Sequence, residues 1–277
     1  MVAVLASCGG GGSEESSPVI PLVVPKPANV TASASNGIVT IEWDSDFDSA
    51  SFDIYLATED NLQAENYSSF DRSEWTRDVS SPYEYTPEDL KYQYFFTVVA
   101  KASGIESDQS DIVSAVPRYN DSGESVEDLY TNLVWLKCSI GQAYNSASNL
   151  CEGEPTRLSH NEVLSFIASN YPEWRMPTFS ELVSLVYCET GNPVYFLEND
   201  EQLCDSDGEN NATIYSSIFS NTLINATPLY RTSTPRIVPG FENMSFYESV
   251  DFLRGGRTSS TGNEPTALHA KLVFKFN

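Results

Sequence analysis

The sequence predicts an all-β sandwich over residues 26–118, followed by an α+β domain over residues 128–277. Three observations lead to this division. Alternating apolar and polar residues, the pattern of half-buried strands, dominate the first region. Two helix-start signals lie in the second region. Four of the five cysteines also cluster there, at Cys138, Cys151, Cys188 and Cys204.

The first region consists of short strand-like runs separated by turn residues. Asn36-Gly37 is a strong signal for a two-residue hairpin loop. The run that follows alternates so that Ile41 and Trp43 share one face. Strands at this spacing are typical of an antiparallel sandwich, and we expect them at residues 30–34, 38–43, 51–56, 94–100 and 112–117.

The details of this region resemble a fibronectin type III domain. Val39-Thr40-Ile41-Glu42-Trp43 is similar to the second strand of that family, with its core tryptophan, and Tyr94-x-Phe96-x-Val98-x-Ala100 is similar to the sixth. The stretch 59–81 is longer and more polar than is usual in the family. The resemblance implies a spacer or a protein-binding module.

Residues 119–127 are polar and are predicted to be a linker. Beyond them, 132–138 is predicted to be a strand. Ser159-x-x-Glu162 and Thr178-x-x-Glu181 are capping boxes, each followed by apolar residues at helical spacing. The two glutamates therefore have a structural explanation that needs no acid–base role.

The chain has two histidines, and neither is flanked by a recognisable nucleophile motif such as Gly-x-Ser-x-Gly. His160 is expected to be exposed in the first turn of a helix. His269 is expected to be a sheet residue in the terminal strand pattern 267–276. The cysteines form no Cys-x-x-Cys pair, so a zinc site is poorly supported. Two disulfides in an exported protein fit the four clustered cysteines better, and they allow three pairings.

The second region resembles the C-terminal domain of the bacterial Lcl collagen-like adhesin over essentially its whole length. The similarity is carried by the run 133–142, by Cys151-x-Gly153 and, most specifically, by Trp174-Arg-Met-Pro-Thr-x-x-Glu181-Leu182. The resemblance implies a C-type-lectin-like fold, with two helices, a small sheet and long loops clamped by disulfides. It also implies the pairing Cys138–Cys151 and Cys188–Cys204.

The fifth cysteine, Cys8, lies between a short apolar run and a tail rich in Gly, Ser, Glu and Pro. Leu5-Ala6-Ser7-Cys8 resembles a bacterial lipobox, in which the cysteine thiol takes the lipid that anchors the protein to a membrane. Residues 1–25 are thus expected to comprise a shortened signal peptide, the lipobox and a flexible tether. The residue after the cysteine is Gly9, and in this the sequence resembles lipoproteins that are sent to the outer membrane.

The formal net charge of −24 indicates that nucleic acid is not a partner, because an acidic surface repels phosphates. Both halves are acidic, with 17 acidic to six basic residues in 26–118 and 20 to nine in 119–277. Asp205-x-Asp207-Gly208-Glu209 could coordinate calcium but lacks EF-hand spacing. We therefore predict no catalytic, cofactor or metal residues, with calcium as the one open possibility.

Together these observations predict a non-enzymatic outer-membrane lipoprotein, facing the cell surface or the periplasm. It is expected to bind a glycan or a protein through the C-terminal domain, with loops at about 205–245 as the contact surface. One alternative is a periplasm-facing accessory component of a pilus or secretion assembly. Another is an enzyme of the lectin-like superfamily, such as the formylglycine-generating oxidases, which use a pair of reactive cysteines.

Overall fold

A computed structural model gives the structure of the chain. Within the described residues lie 19 strands and two α-helices, so the chain is mainly β-structure. No helix in this part of the chain is long and apolar enough to cross a membrane. The described residues are 23–46, 50–188, 212–215, 218–220, 222, 229–252, 256–261 and 268–275.

The first half forms a sandwich of two antiparallel sheets. One sheet has the strand order β1-β2-β5. In the other, β4, β3 and β6 lie side by side, and both β7 and β8 pair with the far edge of β6. The strands are β1 (Ala28–Ser35), β2 (Ile38–Asp44), β3 (Ser51–Ala57), β4 (Ser73–Val79), β5 (Tyr83–Tyr85), β6 (Tyr94–Ala102), β7 (Ile105–Glu106) and β8 (Val113–Ala115).

All five strands expected in this half are present, and the predicted hairpin joins β1 to β2. Asn36 and Gly37 both have positive φ, at 53° and 79°, which the mirror-image two-residue turn requires. Alternation then buries Ile41 and Trp43 against residues of the second sheet, including Phe96. The core of the sandwich therefore follows from the period-two pattern of the sequence.

The long polar stretch 59–81 has a structural role that the sequence did not predict. It contains a 3-10 helix, Tyr67–Ser69, and then β4. The connection before β4 lies over the outer face of the second sheet, where Leu62 is fully buried and Tyr67 packs on Tyr55 with ring centroids 5.1 Å apart. The connection thus gives the sandwich a second small apolar cluster outside the main core.

The second half contains two main sheets, two small two-stranded sheets and two helices. The first sheet has the order β19-β11-β10-β9 and the second the order β16-β17-β18. The elements are β9 (Tyr119–Asp121), β10 (Ser125–Asp128), β11 (Leu133–Leu136), β12 (Ala143–Asn145), β13 (Leu150–Glu152), α1 (His160–Asn170), α2 (Phe179–Val183), β14 (Tyr187–Cys188), β15 (Ala212–Thr213), β16 (Leu229–Arg236), β17 (Phe246–Asp251), β18 (Gly256–Thr261) and β19 (Val273–Lys275).

The segment 119–127, expected to be a linker, instead carries β9 and most of β10. Both strands belong to the sheet of the second half, since β10 pairs with β9 on one side and with β11 on the other. Tyr119 and Val126 are fully buried in the same apolar cluster as Trp135. The strands are only three and four residues long and carry several acidic side chains, which explains why their pattern resembles a linker.

The two halves touch through the β1–β2 hairpin and β9. The backbone N–H of Asn36 donates to Asn120 Oδ1 at 2.6 Å, and Asn120 Nδ2 donates to Asn36 Oδ1 at 3.2 Å. Nearby, Lys91 Nζ lies 5.7 Å from the ring centroid of Tyr130. A cleft of about 230 Å³ opens between the halves, lined by residues that include Ala34, Val116 and Ile218.

Candidate binding surface of the C-terminal half

One of the two expected disulfides lies within the described residues. Cys138, just after β11, is bonded to Cys151 in β13, with a Cα–Cα distance of 5.4 Å. Cys151 is fully buried. This confirms the first pairing and ties the β12–β13 hairpin to the end of β11.

The remaining sequence-predicted site residues lie wholly or partly outside the described residues. Cys188 ends β14, whereas Cys204 falls in the range that the structure does not describe, so their pairing stays a prediction. Cys8 also lies outside the described ranges, as does the acidic segment 205–209 considered for calcium. Within the ranges that are described, no group of three or more His, Cys, Asp or Glu side chains is placed to hold a metal ion.

The described part of the expected contact surface, 205–245, consists mainly of β16 and of the connection that joins it to β17. This connection, residues 237–245, exposes three large apolar side chains to solvent. Ile237 is 86% exposed, Phe241 is 54% exposed and Met244 is 43% exposed. We call this connection the apolar tip. A concentration of exposed apolar side chains in so short a segment is unusual for a protein surface and is typical of interaction sites.

The apolar tip is held in shape by its own hydrogen bonds. Phe241 N–H donates to the carbonyl of Val238 at 3.0 Å, and Met244 N–H donates to the carbonyl of Phe241 at 2.9 Å. Gly240 has a φ of 86°, a value that favours glycine, and its N–H donates to the Glu242 carboxylate at 2.9 Å. That bond lowers the pKa of Glu242, so its carboxylate stays ionised. A pre-ordered loop loses less entropy on binding a partner.

The base of the hairpin is fixed by the segment that leads into α2. Pro177 accepts a hydrogen bond from the backbone N–H of Ser233 at 2.8 Å. In return, Phe179 N–H donates to Thr234 Oγ1 at 2.8 Å. The Trp-Arg-Met-Pro-Thr motif (174–178) and residues 230–235 of β16, which are far apart in the sequence, are thus neighbours in the fold.

The same motif organises the start of α2. The Arg175 guanidinium donates twice to the Glu181 carboxylate, at 2.7 Å each, and Thr178 N–H donates to the same carboxylate at 2.8 Å. Burial alone would raise the pKa of Glu181, but Arg175 and Thr178 outweigh burial and lower it. Both predicted capping boxes are present, at Ser159 with Glu162 and at Thr178 with Glu181.

The structure corrects the expectation that His160 is exposed. The side chain faces inward from the first turn of α1, leaving the residue 6% exposed, and its ring stacks on Tyr247 of β17 with centroids 3.6 Å apart. Burial, and next the charge of the fully buried Arg231, lower the pKa of His160. Sequence reasoning missed this contact because Tyr247 is far away in the chain and no local pattern pairs it with the helix.

His269 lies beside β16, in an isolated bridge with Tyr230 and not in the terminal strand, which is shorter than predicted. Its ring centroid is 5.5 Å from that of Tyr230, whose hydroxyl lies 3.2 Å from Ser139 Oγ. Burial and the charge of Arg157 lower the pKa of His269. Among the described residues, no hydroxyl or carboxylate is hydrogen-bonded to Nδ1 of His160 or to either ring nitrogen of His269.

No family model matches the chain, and no curated protein matches it. Among solved structures, a Fn3-like protein from Clostridium thermocellum is similar at 16% identity, covering 32% of this chain and 88% of that one, with a TM-score of 0.27.

Two further solved structures are similar over comparable shares of the chain's length. A structure described as a myokine is 18% identical over 34% of this chain and 99% of that one, with a TM-score of 0.26. The FN1–FN3 domains of chicken CNTN1 are 13% identical over 41% and 44%, with a TM-score of 0.27. The strand order of the first half, three strands facing a sheet whose edge is shared by β7 and β8, is consistent with a fibronectin type III-like fold.

Proposed function

We propose that this chain is a non-enzymatic, lipid-anchored protein of the bacterial cell envelope that binds a glycan or a protein through its C-terminal half. The observation that carries the binding proposal is the apolar tip, with Ile237, Phe241 and Met244 exposed on an ordered loop. The tip lies within the contact region expected from the sequence. A surface of this kind stabilises a complex by removing apolar area from water.

The finer assignment, a C-type-lectin-like fold for the second half, belongs to the same proposal. It is supported by the antiparallel pairing of β11 with β19, which brings the two ends of this half together. The two helices and the disulfide Cys138–Cys151 also suit it. In this proposal the sandwich is the spacer, and Cys8, in the lipobox-like segment, carries the anchor.

The experiment is a glycan and matrix-protein binding array probed with the chain, with and without EDTA. The test variant is the double substitution Ile237→Ser and Phe241→Ser. The matched control is Leu164→Ser, which removes an apolar side chain that is 48% exposed on α1. Comparison of the EDTA arms shows whether calcium takes part in binding.

We expect the double variant to bind at least about tenfold more weakly than the unmodified chain, because two apolar side chains no longer become buried. The control variant should bind as the unmodified chain does. Unchanged affinity of the double variant for the array's ligand would overturn the assignment of the apolar tip as the contact surface.

A further inference from the structure

A cluster of four polar side chains lies where β9, the end of β11 and the β12–β13 hairpin meet. It consists of Lys137, Asn149, Asp121 and Tyr144, and we call it the lysine–asparagine cluster. The Lys137 side chain is fully buried, and that of Asp121 is 22% exposed. Burial of a lysine in a protein requires polar partners, and Asp121 and Asn149 supply them. The ring of Tyr144 lies 5.5 Å from Lys137 Nζ.

The contacts within the cluster place an amine against an amide. Lys137 Nζ lies 2.7 Å from Asn149 Oδ1 and 2.6 Å from Asp121 Oδ2. Asn149 Nδ2 donates to the same oxygen of Asp121 at 3.3 Å. One carboxylate oxygen therefore touches both the lysine nitrogen and the nitrogen of the asparagine amide.

The carbonyl of Asn149 is polarised by a second donor. The Tyr144 hydroxyl donates to Asn149 Oδ1 at 2.8 Å, in addition to the contact with Lys137 Nζ. Two donors on one carbonyl oxygen stabilise negative charge that develops there when a nucleophile attacks the carbon. The cluster thus contains a nucleophile, a polarised electrophile and a group that can carry a proton between them.

The fold also holds the reacting groups together. The disulfide between Cys138 and Cys151 joins the residue after Lys137 to a residue two positions beyond Asn149. Asn149 has a φ of 57°, a left-handed conformation that asparagine tolerates. Holding reactants in one geometry raises their effective concentration by orders of magnitude.

We propose that Lys137 and Asn149 become joined by an intramolecular amide bond between Lys137 Nζ and Asn149 Cγ. The Lys137 ammonium first gives a proton to the Asp121 carboxylate. The free amine attacks Cγ, and Tyr144 hydrogen-bonds the oxygen that becomes negative. Asp121 then returns a proton to Nδ2, and the C–N bond to Nδ2 breaks. The second proton of the attacking nitrogen passes to the departing ammonia, which leaves as an ammonium ion.

The step is balanced and needs no oxidant, reductant or further reactant. One ammonium group and one primary amide become one secondary amide and one ammonium ion, with Asp121 ending as the carboxylate it was at the start. Asn149 is exposed, so the released ammonia can leave to solvent. The product is a second covalent tie between β11 and the β12–β13 hairpin, independent of the disulfide and insensitive to reductants.

The other fully buried lysine provides a contrast within the same chain. Lys271 Nζ donates to the backbone carbonyl of Lys137 at 3.0 Å, and no side-chain amide is hydrogen-bonded to it among the described residues. Its surroundings include the ring of Phe219, 4.9 Å away. Lys271 therefore serves as an internal control: it is equally buried but has no electrophile.

The test is the intact mass of the full chain, measured after reduction, together with mapping of the proteolytic peptides. We expect the mass of the chain without substitutions to be lower than the mass calculated from its sequence by one ammonia molecule. A cross-linked peptide should contain both Lys137 and Asn149. Asp121→Asn and Asn149→Ala should both have the mass that their sequences require. A full-length chain with its complete sequence mass would overturn the proposal.

Two further variants keep the test specific. Asn145→Ala changes another hydrogen-bonded asparagine of the same hairpin, which contacts Glu152 and no lysine, so the ammonia loss should persist in it. Asn149→Asp keeps the shape of the cluster and should lose water instead of ammonia. If the ammonia loss also persisted in Asn149→Ala, it would arise elsewhere, for example at Asn36-Gly37, and the proposal would be wrong.

Discussion

At the scale of single residues, the second half carries several charged side chains in its interior. Arg118 and Asp128 are both fully buried, and Arg118 Nε donates to Asp128 Oδ1 at 2.8 Å. Asp128 also accepts from Thr131 Oγ1 at 2.7 Å and from the backbone N–H of Tyr130 at 3.1 Å. The pair therefore links the residue before β9 to the turn between β10 and β11.

Removal of one member of this pair leaves the other charge buried. We predict that Asp128→Ala lowers the free energy of unfolding by about 3–5 kcal/mol, measured by urea denaturation. Asp111→Ala is the control, since it breaks the exposed pair Lys26–Asp111 and should cost less than about 1 kcal/mol. Similar effects of the two substitutions would contradict the structural role of the buried pair.

The two histidines predict a pH dependence of stability. Burial first, and then the neighbouring arginines, lower the pKa of His160 and of His269 in the folded chain. The unfolded chain, whose imidazoles have ordinary pKa values near 6.5, binds protons more readily. The stabilisation by neutral histidines is therefore complete above about pH 6.5 and is lost as the pH falls below it.

We accordingly expect the free energy of unfolding to decrease between about pH 7.5 and pH 5.5. His160→Phe keeps an aromatic ring against Tyr247 and removes one titrating group, so this variant should show a shallower dependence. Urea denaturation at a series of pH values measures the pH dependence of stability of the original chain and of the His160→Phe variant. A stability that is constant over this range, or that rises on acidification, would show that the buried imidazoles do not destabilise the fold when they are protonated.

At the scale of elements, hydrogen bonds in the first turn determine where each helix begins. Ser159 accepts from the backbone N–H of Glu162, and the Glu162 carboxylate accepts from the backbone N–H of Ser159 at 2.7 Å. The Glu162 carboxylate also accepts from Ser159 Oγ at 2.8 Å, and its bonds to the backbone N–H and hydroxyl of Ser159 lower the pKa of Glu162. The reciprocal backbone bonds satisfy two donors that the first turn of a helix leaves unpaired. The helix starts therefore follow from local sequence alone.

Substitution of the cap should have a defined cost. Ser159→Ala is predicted to destabilise the chain by about 1 kcal/mol, because it removes a bond that the helix N-terminus cannot replace internally. Ser165→Ala makes the same chemical change at an exposed position within α1 and should be neutral or slightly stabilising. Thermal or urea unfolding compares the stabilities of the two variants. An equal loss of stability in both would argue against a stabilising role of the Ser159 cap.

The accuracy of sequence-based prediction in this chain depends on how far apart in the sequence the interacting residues lie. Five of the eight strands of the sandwich and both helices are predictable, since alternation and capping boxes are recognised within a few residues. The segment 119–127 does not reveal its strands because they are short and acidic, and because one of the two buried residues of β10 is the charged Asp128. Its partner Arg118 lies ten residues away, and no local pattern pairs them.

The candidate site shows the same division between features that local sequence predicts and features that arise only in the fold. The region 205–245 could be proposed from a family resemblance, and its described part does contain the apolar tip. The lysine–asparagine cluster could not be predicted, because Asp121, Lys137 and Asn149 come from three separate elements and meet only in the fold. The inward position of His160 likewise depends on Tyr247, a residue of a strand far along the chain.

At the scale of the whole molecule, the net charge of −24 is the dominant feature. Each half is acidic, and the two halves contact each other at the Asn36–Asn120 hydrogen bonds and around Tyr130. Like charges repel across this contact and within each half, and the repulsion is relieved when the chain unfolds. Salt should therefore stabilise the folded chain by screening that repulsion.

We predict that the free energy of unfolding rises by roughly 0.5–1 kcal/mol when NaCl is increased from about 0.05 to 0.5 M. The same titration with sucrose at matched osmolality serves as the uncharged control. A decrease in stability with salt would mean that attractive ion pairs, such as Arg175–Glu181, outweigh the general repulsion.

The proposed role of the whole molecule depends on an envelope anchor that presents the two packed halves to a ligand. Mass spectrometry of the N-terminal peptide, taken from the protein in its own cells, tests this anchor most directly. We predict that Cys8 is the first residue of the mature chain and carries a thioether-linked diacylglycerol. A soluble protein in which Cys8 is unmodified would contradict the claim.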